Sequence, residues 1–454
     1  MGKAGPKMKI GTWVAGDGAH VASWLVPTID PHKSATFEHW RELGEICERG
    51  KLDFLFLADS HRVQYQRNPE AMSQMPATRV FEPLTLLSSL AVTTKHLGLV
   101  ATATTTYNEP FHIARMFSSL DFLSGGRASW NVVTSSSPDE APNFQAQKHM
   151  AHDDRYVRAK EFLEITYKLW DSWEDDAFPR DQESGTYLHY DKMHYTNHRT
   201  EHFSVKGPLT TPRPPQGRPV IFQAGSSDIG REFGAETADA IFTAQETIAG
   251  AKAFYDDVKG RMRKYGRKPE DMLIFVGVGP IVGETMAEAQ AKFDFLQSKM
   301  PLAVSLQVLS EVLGGADLSH IPVDEPLTDL PPSDGIQSRR DLMLKKAIDE
   351  KMTLRELSKY VAGGRGHRQL IGTPKSIADD FEAWMDAGAT DGFLLGPATL
   401  PGSLEDFVDL VVPELQRRGV FREEYEGTTM REIMGLPRPE HPAALARMAK
   451  AKAS

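Results

Sequence analysis

Short apolar runs alternate with amphipathic stretches along most of this chain. Residues 9–14, 53–58, 98–105, 129–133, 219–224, 240–244, 273–282 and 392–396 are dominated by apolar and small side chains. Such runs suit strands packed on both faces, as in a parallel sheet. Between them the apolar spacing changes to the helical period, predicting helices that include 36–49, 84–95, 111–123, 155–173, 250–265, 374–386 and 404–417. The stretch 97–137 shows one repeat in full. A small, β-branched strand is broken at Tyr107-Asn108-Glu109, and Pro110 is placed to open a helix. Ile113, Phe117, Leu120 and Leu123 share one face of it, Gly125-Gly126 stops it, and extended structure resumes at Ser129. This reads as a right-handed strand–helix–strand unit with a parallel pair. Eight such strands predict an α/β fold, a TIM-like (β/α)8 barrel forming one domain over residues 1–454. A doubly wound open sheet is the alternative.

Two stretches interrupt the rhythm. After the fourth strand, residues 174–218 are hydrophilic, dense in His, Tyr and Asp, and read as a hairpin-like insertion. After the seventh, residues 301–370 form a second insertion with a Pro- and Asp-rich linker at 321–335. Both are candidate lids. The tail from about 421 is charged and contains proline, there is no solenoid-length repeat, and nothing suggests a second core.

Composition narrows the function classes. Over 454 residues, 40% hydrophobic and 25% charged, the balance is that of an ordinary globular enzyme. A net charge of -10 argues against electrostatic binding of nucleic acid. The single cysteine, Cys47, excludes an internal disulfide framework and points to a reducing, cytoplasmic setting. Its place on an apolar helix face predicts a buried, inert thiol. No signal-peptide core and no membrane-length apolar run is seen. Nor is there a dinucleotide G-x-G-x-x-G, a phosphate-loop G-x-x-x-x-G-K-[ST], an H-E-x-x-H helix or a G-x-S-x-G elbow.

The polar groups that remain cluster at predicted strand ends, where α/β enzymes place ligands. Asp59 is either a turn-capping carboxylate or a ligand group at a barrel mouth. Thr102 and Thr104 share a strand face and either fill an interior layer or hydrogen-bond a flat ring. Asn131, buried on the neighbouring strand, must pair with something, and an amide offers both donor and acceptor. His152 and Tyr156 are four apart at a helix start and so line one side of its first turn. Ser226 and Ser227, followed by Asp228, are either ordinary N-caps or a phosphate cradle at a helix N-terminus. His149 and His152 lie three apart, but no ligand triad at metal-site spacing accompanies them, so no metal is assigned. His20, with Trp13 and Trp24, belongs to the first strand and loop and either lines a substrate pocket or packs that loop. Together these groups suggest one pocket for a phosphorylated planar cofactor.

Long motifs carry a resemblance. L-D-F-L-F-L-A-D (52–59), A-T-A-T-T-T-Y-N-E-P-F-H-I-A-R (101–115), L-D-F-L-S-G-G-R-A-S-W-N-V-V-T-S (120–135), H-x-x-R-Y (152–156) and Q-A-G-S-S (223–227) resemble flavin-dependent monooxygenases of the bacterial luciferase-like superfamily. The nearest branch is that of the nitrilotriacetate, EDTA, dibenzothiophene sulfone and long-chain alkane monooxygenases. The resemblance runs from about residue 8 to 425 and includes the L-P-G-S stretch near the C-terminus.

The resemblance implies a barrel that binds reduced FMN at its C-terminal face and a separate NAD(P)H:flavin reductase that delivers it. It implies a two-component, FMN-dependent monooxygenase using dioxygen on a small organosulfur, aminopolycarboxylate or similar substrate, organised as a homodimer or higher homo-oligomer. Asp59, Thr102, His152, Tyr156 and Ser227 match the family's FMN ligands, with Asn131 and Ser226 adjacent and Thr104 on the same strand face. His20 and His152 are the catalytic candidates, although such chemistry needs no indispensable protein acid or base. Sulfone-oxidising members carry a histidine near the position of Leu313-Gly314-Gly315; this sequence has none there, and His320 lies several residues on. No clear basic cluster marks the pocket in the sequence. Competing readings are a non-catalytic flavin-binding or sensing protein and a deazaflavin-dependent oxidoreductase on the same barrel.

Overall fold

The computed structural model describes residues 7–63, 68–76, 78–135, 137–144, 148–331 and 337–453. Its parallel strands are β1 (Lys9–Trp13), β2 (Phe54–Leu57), β3 (Gly98–Thr104) and β4 (Ala128–Val133). A two-stranded antiparallel ribbon follows, β5 (His198–Arg199) and β6 (Ser204–Val205), and then β7 (Val220–Gln223), β8 (Ala240–Thr243), β9 (Leu273–Val282), β10 (Arg368–Gly372) and β11 (Gly392–Leu395). The sheet runs β11-β1-β2-β3-β4-β7-β8 and closes through β9, which pairs with both β8 and β11. This is the eight-stranded barrel that the apolar runs predict. β10 is an addition: the insertion 301–370 ends in a strand that pairs with the C-terminal half of β9, Val278 to Val282. Arg368-Gln369 on that strand are polar and partly exposed, so no apolar run betrays it.

Side chains alternate across each strand, and the alternation sorts the barrel into two cores. Leu55, Leu57, Leu99, Ala101, Trp130, Ile221 and Phe393 face outward and join the helices in one cluster. Phe54, Phe56, Val100, Val220, Phe222, Phe242, Phe275 and Leu394 face inward and form another. The inner rings pack edge-on and tilted, with centroids 5.0 Å apart for Phe54–Phe222, 5.2 Å for Phe54–Phe275 and 4.8 Å for Phe56–Phe242. Gly11 permits this, because a Cβ there would stand 2.1 Å from the Phe54 ring.

The charged tail is more than a surface extension. Phe421, Met430, Ile433, Met434 and Leu436 are buried, and Met430, Met434 and Leu436 join the inner aromatic cluster. Gly98 makes room for the Met430 sulfur, 2.2 Å from where its Cβ would be. The tail is fastened by Arg422, which bonds the Asp53 carboxylate at 2.7 Å; Asp53 also accepts the Ile10 amide at 2.6 Å and faces Lys9 at 3.9 Å.

The insertion 174–218 is a loop excursion with the short β5–β6 ribbon and a single helical turn at Tyr190–Lys192. The 301–370 insertion supplies three helices, Leu302–Val312, Gln337–Asp349 and Leu354–Gly364. Contrary to the sequence expectation, it carries an apolar cluster of its own, including Val304, Val308, Leu309, Leu354, Leu357 and Val361, joined by Val21, Ala71 and Met75 from two barrel loops. Element ends move by a few residues: the helix expected at 155–173 spans His152–Trp170, and that at 84–95 ends at Ala91. No described helix is long and apolar enough to cross a membrane.

Asp53→Ala leaves the Arg422 guanidinium buried without a counter-charge and should cost about 3–5 kcal/mol. Urea unfolding measures it; a loss below about 1 kcal/mol would show that the tail is not held through this pair.

Candidate active site

A cavity of 1310 Å³ opens at the C-terminal ends of the strands. Its floor is the top of the aromatic plug, with Trp13, Phe56, Phe242 and Leu394. Loops following β1, β2, β7 and β8 build the walls, and Leu342, Arg365 and His367 come from the second insertion. The Trp13 and His367 rings lie 6.4 Å apart, and two glycines, one on β9 and one just after β11, admit them. A Cβ at Gly277 would stand 2.2 Å from the His367 ring, and one at Gly396 would stand 2.7 Å from the Trp13 indole nitrogen. Glycine inside a strand often marks a close approach of this kind.

The predicted residues fall into separate groups. Asp59 and Ser226 line the cavity. Burial pushes the Asp59 carboxyl above its ordinary range, even with Arg79 at 3.3 Å. Thr102, Thr104 and Asn131 are buried on the same strand face as Val100, which belongs to the barrel interior. Asn131 Nδ2 donates to Thr102 Oγ1 at 2.9 Å, while its Oδ1 is buried with no partner. Thr104 Oγ1 is taken up locally, accepting from the Thr106 amide at 3.1 Å and from Ser135 at 3.0 Å.

Tyr156 and Ser227 meet at the start of the helix Asp228–Thr237. Ser227 is its N-cap, accepting from the Gly230 amide at 3.2 Å. Ser227 Oγ and Tyr156 Oη each lie 3.0 Å from the place a Gly230 Cβ would occupy, and Gly225 Cα lies 2.9 Å from it. Two hydroxyls and a helix N-terminus thus converge on Gly230, which is so closely packed that no side chain fits there. An accepting serine hydroxyl still has its own proton to donate, so the capping and cradle readings of Ser227 are compatible. His152 shares this turn, its ring 5.2 Å from Tyr156, but it is half exposed and paired with Asp153 at 2.8 Å.

His20 stands apart from the cavity lining. It is fully buried, its Nδ1 accepts the Ala22 amide at 3.1 Å, and burial beside Arg365 holds it neutral with a pKa down to about 3. Trp24 lines a smaller 430 Å³ cavity behind the same loops. Cys47 is buried and burial raises its thiol pKa, so it is inert as predicted. His149 Nδ1 and the Tyr107 hydroxyl share a 2.7 Å hydrogen bond. Glu174, His194 and His441 bring ligand atoms within 4.8 Å of one another, yet Glu174 is engaged by Arg447 and His441 by Asp171 and Ala443. We assign no ion there.

The cavity also gathers basic side chains that the sequence did not show as a cluster. Arg62, Arg79, Arg231, Arg365, His61 and His367 all line it. They come from four separate segments, so no local run announces them. Arg62 pairs with Glu311 at 2.6 Å, Arg79 with Asp59, and Arg231 with Asp257 at 2.9 Å. For Arg365 and His367 the available signal was the Gly-Gly-Arg-Gly-His run at 363–367, where a helix must stop beside the barrel.

With this geometry in view, comparison with known proteins is decisive. The luciferase-like monooxygenase family matches residues 19–391. The chain belongs to that family. It is a flavin-dependent monooxygenase, and its barrel is the family's fold. It is 49% identical over 448 residues to component A of nitrilotriacetate monooxygenase from Aminobacter aminovorans, covering 97% of this chain and 99% of that protein. It is 50% identical over 435 residues to N-acetyl-S-(2-succino)cysteine monooxygenase from Bacillus subtilis, covering 95% and 97%. Among solved structures it resembles riboflavin lyase RcaE with modified FMN and riboflavin, with a TM-score of 0.84, 30% identity, and 96% and 99% coverage.

Gly277→Ala in this luciferase-like chain should displace the His367 ring from the cavity and cost about 1–3 kcal/mol by overpacking. Thermal melting tests this; an unshifted Tm would mean that the His367 ring moves aside freely.

Proposed function

We propose that the chain is the oxygenase of a two-component system that binds reduced FMN and oxygenates a small, carboxylate-bearing substrate. The observation that carries the cofactor is the convergence of the Ser227 and Tyr156 hydroxyls with a helix N-terminus beside Gly230. It fits a dianionic phosphate. The partnerless Asn131 Oδ1 fits the N–H edge of a flat heteroaromatic ring, with Thr102 beside it. His152 lies beside Tyr156, Ser226 precedes Ser227, Thr104 shares the strand face of Thr102, and Asp59 lines the cavity. At 1310 Å³ the cavity exceeds the roughly 300–1,000 Å³ of a single-ligand pocket, which leaves space for substrate beside a cofactor.

When bound, reduced flavin supplies the electrons that activate dioxygen, so that one oxygen atom enters the substrate and the other leaves as water. The protein's part is to bind, orient and exclude water. Phe56, Phe242 and Leu394 give a dry floor, and the second insertion covers the mouth through Arg62–Glu311 and the Tyr360–Glu246 hydrogen bond at 2.6 Å. The absence of a dinucleotide fingerprint supports a separate reductase, as does the designation of one relative as a component A. Nitrilotriacetate and the succinylated cysteine are both polycarboxylates, and the cation-rich lining supports a substrate of that class.

Ser227→Ala and Tyr156→Phe should each weaken reduced FMN by about 1.5–3 kcal/mol, the usual value for a hydrogen bond to a charged group. Tyr156→Phe should leave the melting temperature unchanged, whereas Ser227→Ala also loses the helix cap, worth about 0.5–2 kcal/mol. Anaerobic titration reads this, and parental affinity in both variants would remove Ser227 and Tyr156 from the cofactor site. The purified chain with free FMN should leave NADH unconsumed until a flavin reductase is added; NADH turnover by the chain alone would overturn the two-component reading. A rate of flavin oxidation equal to that in free solution, with no substrate oxygenated, would favour a non-catalytic flavin binder.

A further inference from the structure

His61 stands at the cavity wall two residues beyond Asp59, and nothing described above gives it a task. Its surroundings are built around one carboxylate. Glu140, 4% exposed, lies on the short helical segment Pro138–Phe144 that follows β4. One of its oxygens is 3.4 Å from His61 Nδ1 and 3.4 Å from the His61 amide, and 2.9 Å from the Ser135 hydroxyl; the other is 3.4 Å from Ser60 Oγ. Ser135 also bonds Thr104 on β3, so Glu140 ties together the ends of three barrel strands. The loop is gripped from its other side: Asn143 Nδ2 donates to the His61 carbonyl at 2.7 Å, and the Phe144 ring stands edge-on to the imidazole at 4.9 Å. The imidazole is thereby fixed, with one ring nitrogen turned to a buried carboxylate and the side chain forming part of the cavity wall.

We propose that His61, oriented by Glu140, is a specificity-determining contact that receives a carboxylate of the substrate as an imidazolium. This rests on the reading that the cavity takes a carboxylate-bearing substrate. The charges around His61 favour the cation. Glu140 raises its pKa most, burial opposes this, and Asp59 and Glu82 raise it further. Glu140 itself is pushed up by burial but brought below its ordinary value by His61 and Ser135, so it stays ionised. The neighbouring arginines are occupied, Arg79 by Asp59 and Arg62 by Glu311. An imidazolium differs from them in one respect: its charge is lost as pH rises through its raised pKa, whereas a guanidinium keeps its charge throughout.

Two measurements test this. In the first, the His61 imidazole is titrated by NMR in the flavin-free chain, assigned by its loss in His61→Gln. Its midpoint should lie above 6.5, the ordinary histidine value, and fall in Glu140→Gln. A midpoint at or below 6.5 in the parent would overturn the proposal. In the second, the reductase-coupled enzyme is assayed across pH with nitrilotriacetate, succinate derivatives and their amides. For an accepted carboxylate, KM should rise about tenfold per pH unit above the His61 midpoint while kcat holds. His61→Gln should raise KM at low pH to the parent's high-pH value and abolish its pH dependence, with reduced FMN affinity intact. A parent-like KM profile in His61→Gln overturns this proposal alone. If the parent accepts amides as well as acids, or no carboxylate at all, the carboxylate reading falls and this proposal falls with it. Melting curves for both variants separate these outcomes from misfolding.

Discussion

A closed barrel of eight strands has an interior that must be filled, and here it is filled only part of the way up. Phe54, Phe222, Phe242 and Phe275 occupy the same volume from four strands, and the tail residues Met430 and Met434 close it from below. Every inward side chain above that plug therefore faces either packed rings or the open mouth. Because side chains alternate along a strand, the placing of Phe54 and Phe56 inside also commits Leu55 and Leu57 to the helical layer. The same alternation carries Thr102 and Asn131 to the inner face, where they can pair with each other but leave Asn131 Oδ1 unanswered. A buried acceptor of that kind is costly when it has no partner. Its presence above an otherwise apolar plug is consistent with a ligand that supplies the missing donor.

The mouth is enclosed by a different principle. Few strands reach it, so its walls are loops, and loops need their own anchors to hold shape. The first loop is held by backbone bonds to the segment after β11, Ala19 to Pro397 and His20 to Ala398. The second insertion packs an apolar cluster of its own and draws Val21, Ala71 and Met75 into it, so two barrel loops and the cover share one core. Arg62–Glu311 and Tyr360–Glu246 join the cover to the loops after β2 and β8. The cover is tied to the barrel at its other end as well, where β10 pairs with β9 and the His367 ring lies against Gly277.

The barrel was legible in the sequence because its strands are apolar on both faces and its helices are amphipathic, and those two periods survive without any tertiary information. The strand β10 was not, because Arg368 and Gln369 pack through polar partners, the Asp380 carboxylate and the Tyr360 carbonyl, and so follow no apolar pattern. The tail misled for the opposite reason. Its buried residues Phe421, Met430 and Met434 are scattered among solvent-facing glutamates and among arginines, such as Arg422 and Arg431, that are buried only by pairing with distant aspartates, so local composition hides a plug made by few side chains. Candidate residues at strand ends could be found because position along a parallel strand implies the mouth. Arg231, Arg365 and His367 could not, since each comes from a loop or insertion whose place over the mouth depends on long-range packing. Gly277 and Gly396 were the signals available: glycine in a buried strand implies that some ring approaches, without naming which.

Charge at the mouth follows from the same enclosure. A cavity that excludes water raises the cost of any ionised group left unpaired. Arg62, Arg79 and Arg231 answer this with carboxylates of the chain itself, and their pairing makes them rigid parts of the wall. A paired arginine still adds positive potential to the wall but offers an incoming anion a weaker direct contact, because the anion must compete with an internal carboxylate already in place. Recognition then shifts to groups whose partner is shared among several bonds, and Glu140 is such a partner: it serves Ser60, His61 and Ser135 at once. The bonds to Ser60 and the His61 amide are about 3.4 Å long and loose, and His61 Nδ1 stands at 3.4 Å, an ion-pair distance rather than a hydrogen bond. The imidazole it orients is therefore held in direction while its charge is only partly spent on Glu140. That combination, fixed geometry with charge in reserve, is what separates His61 from the arginines beside it.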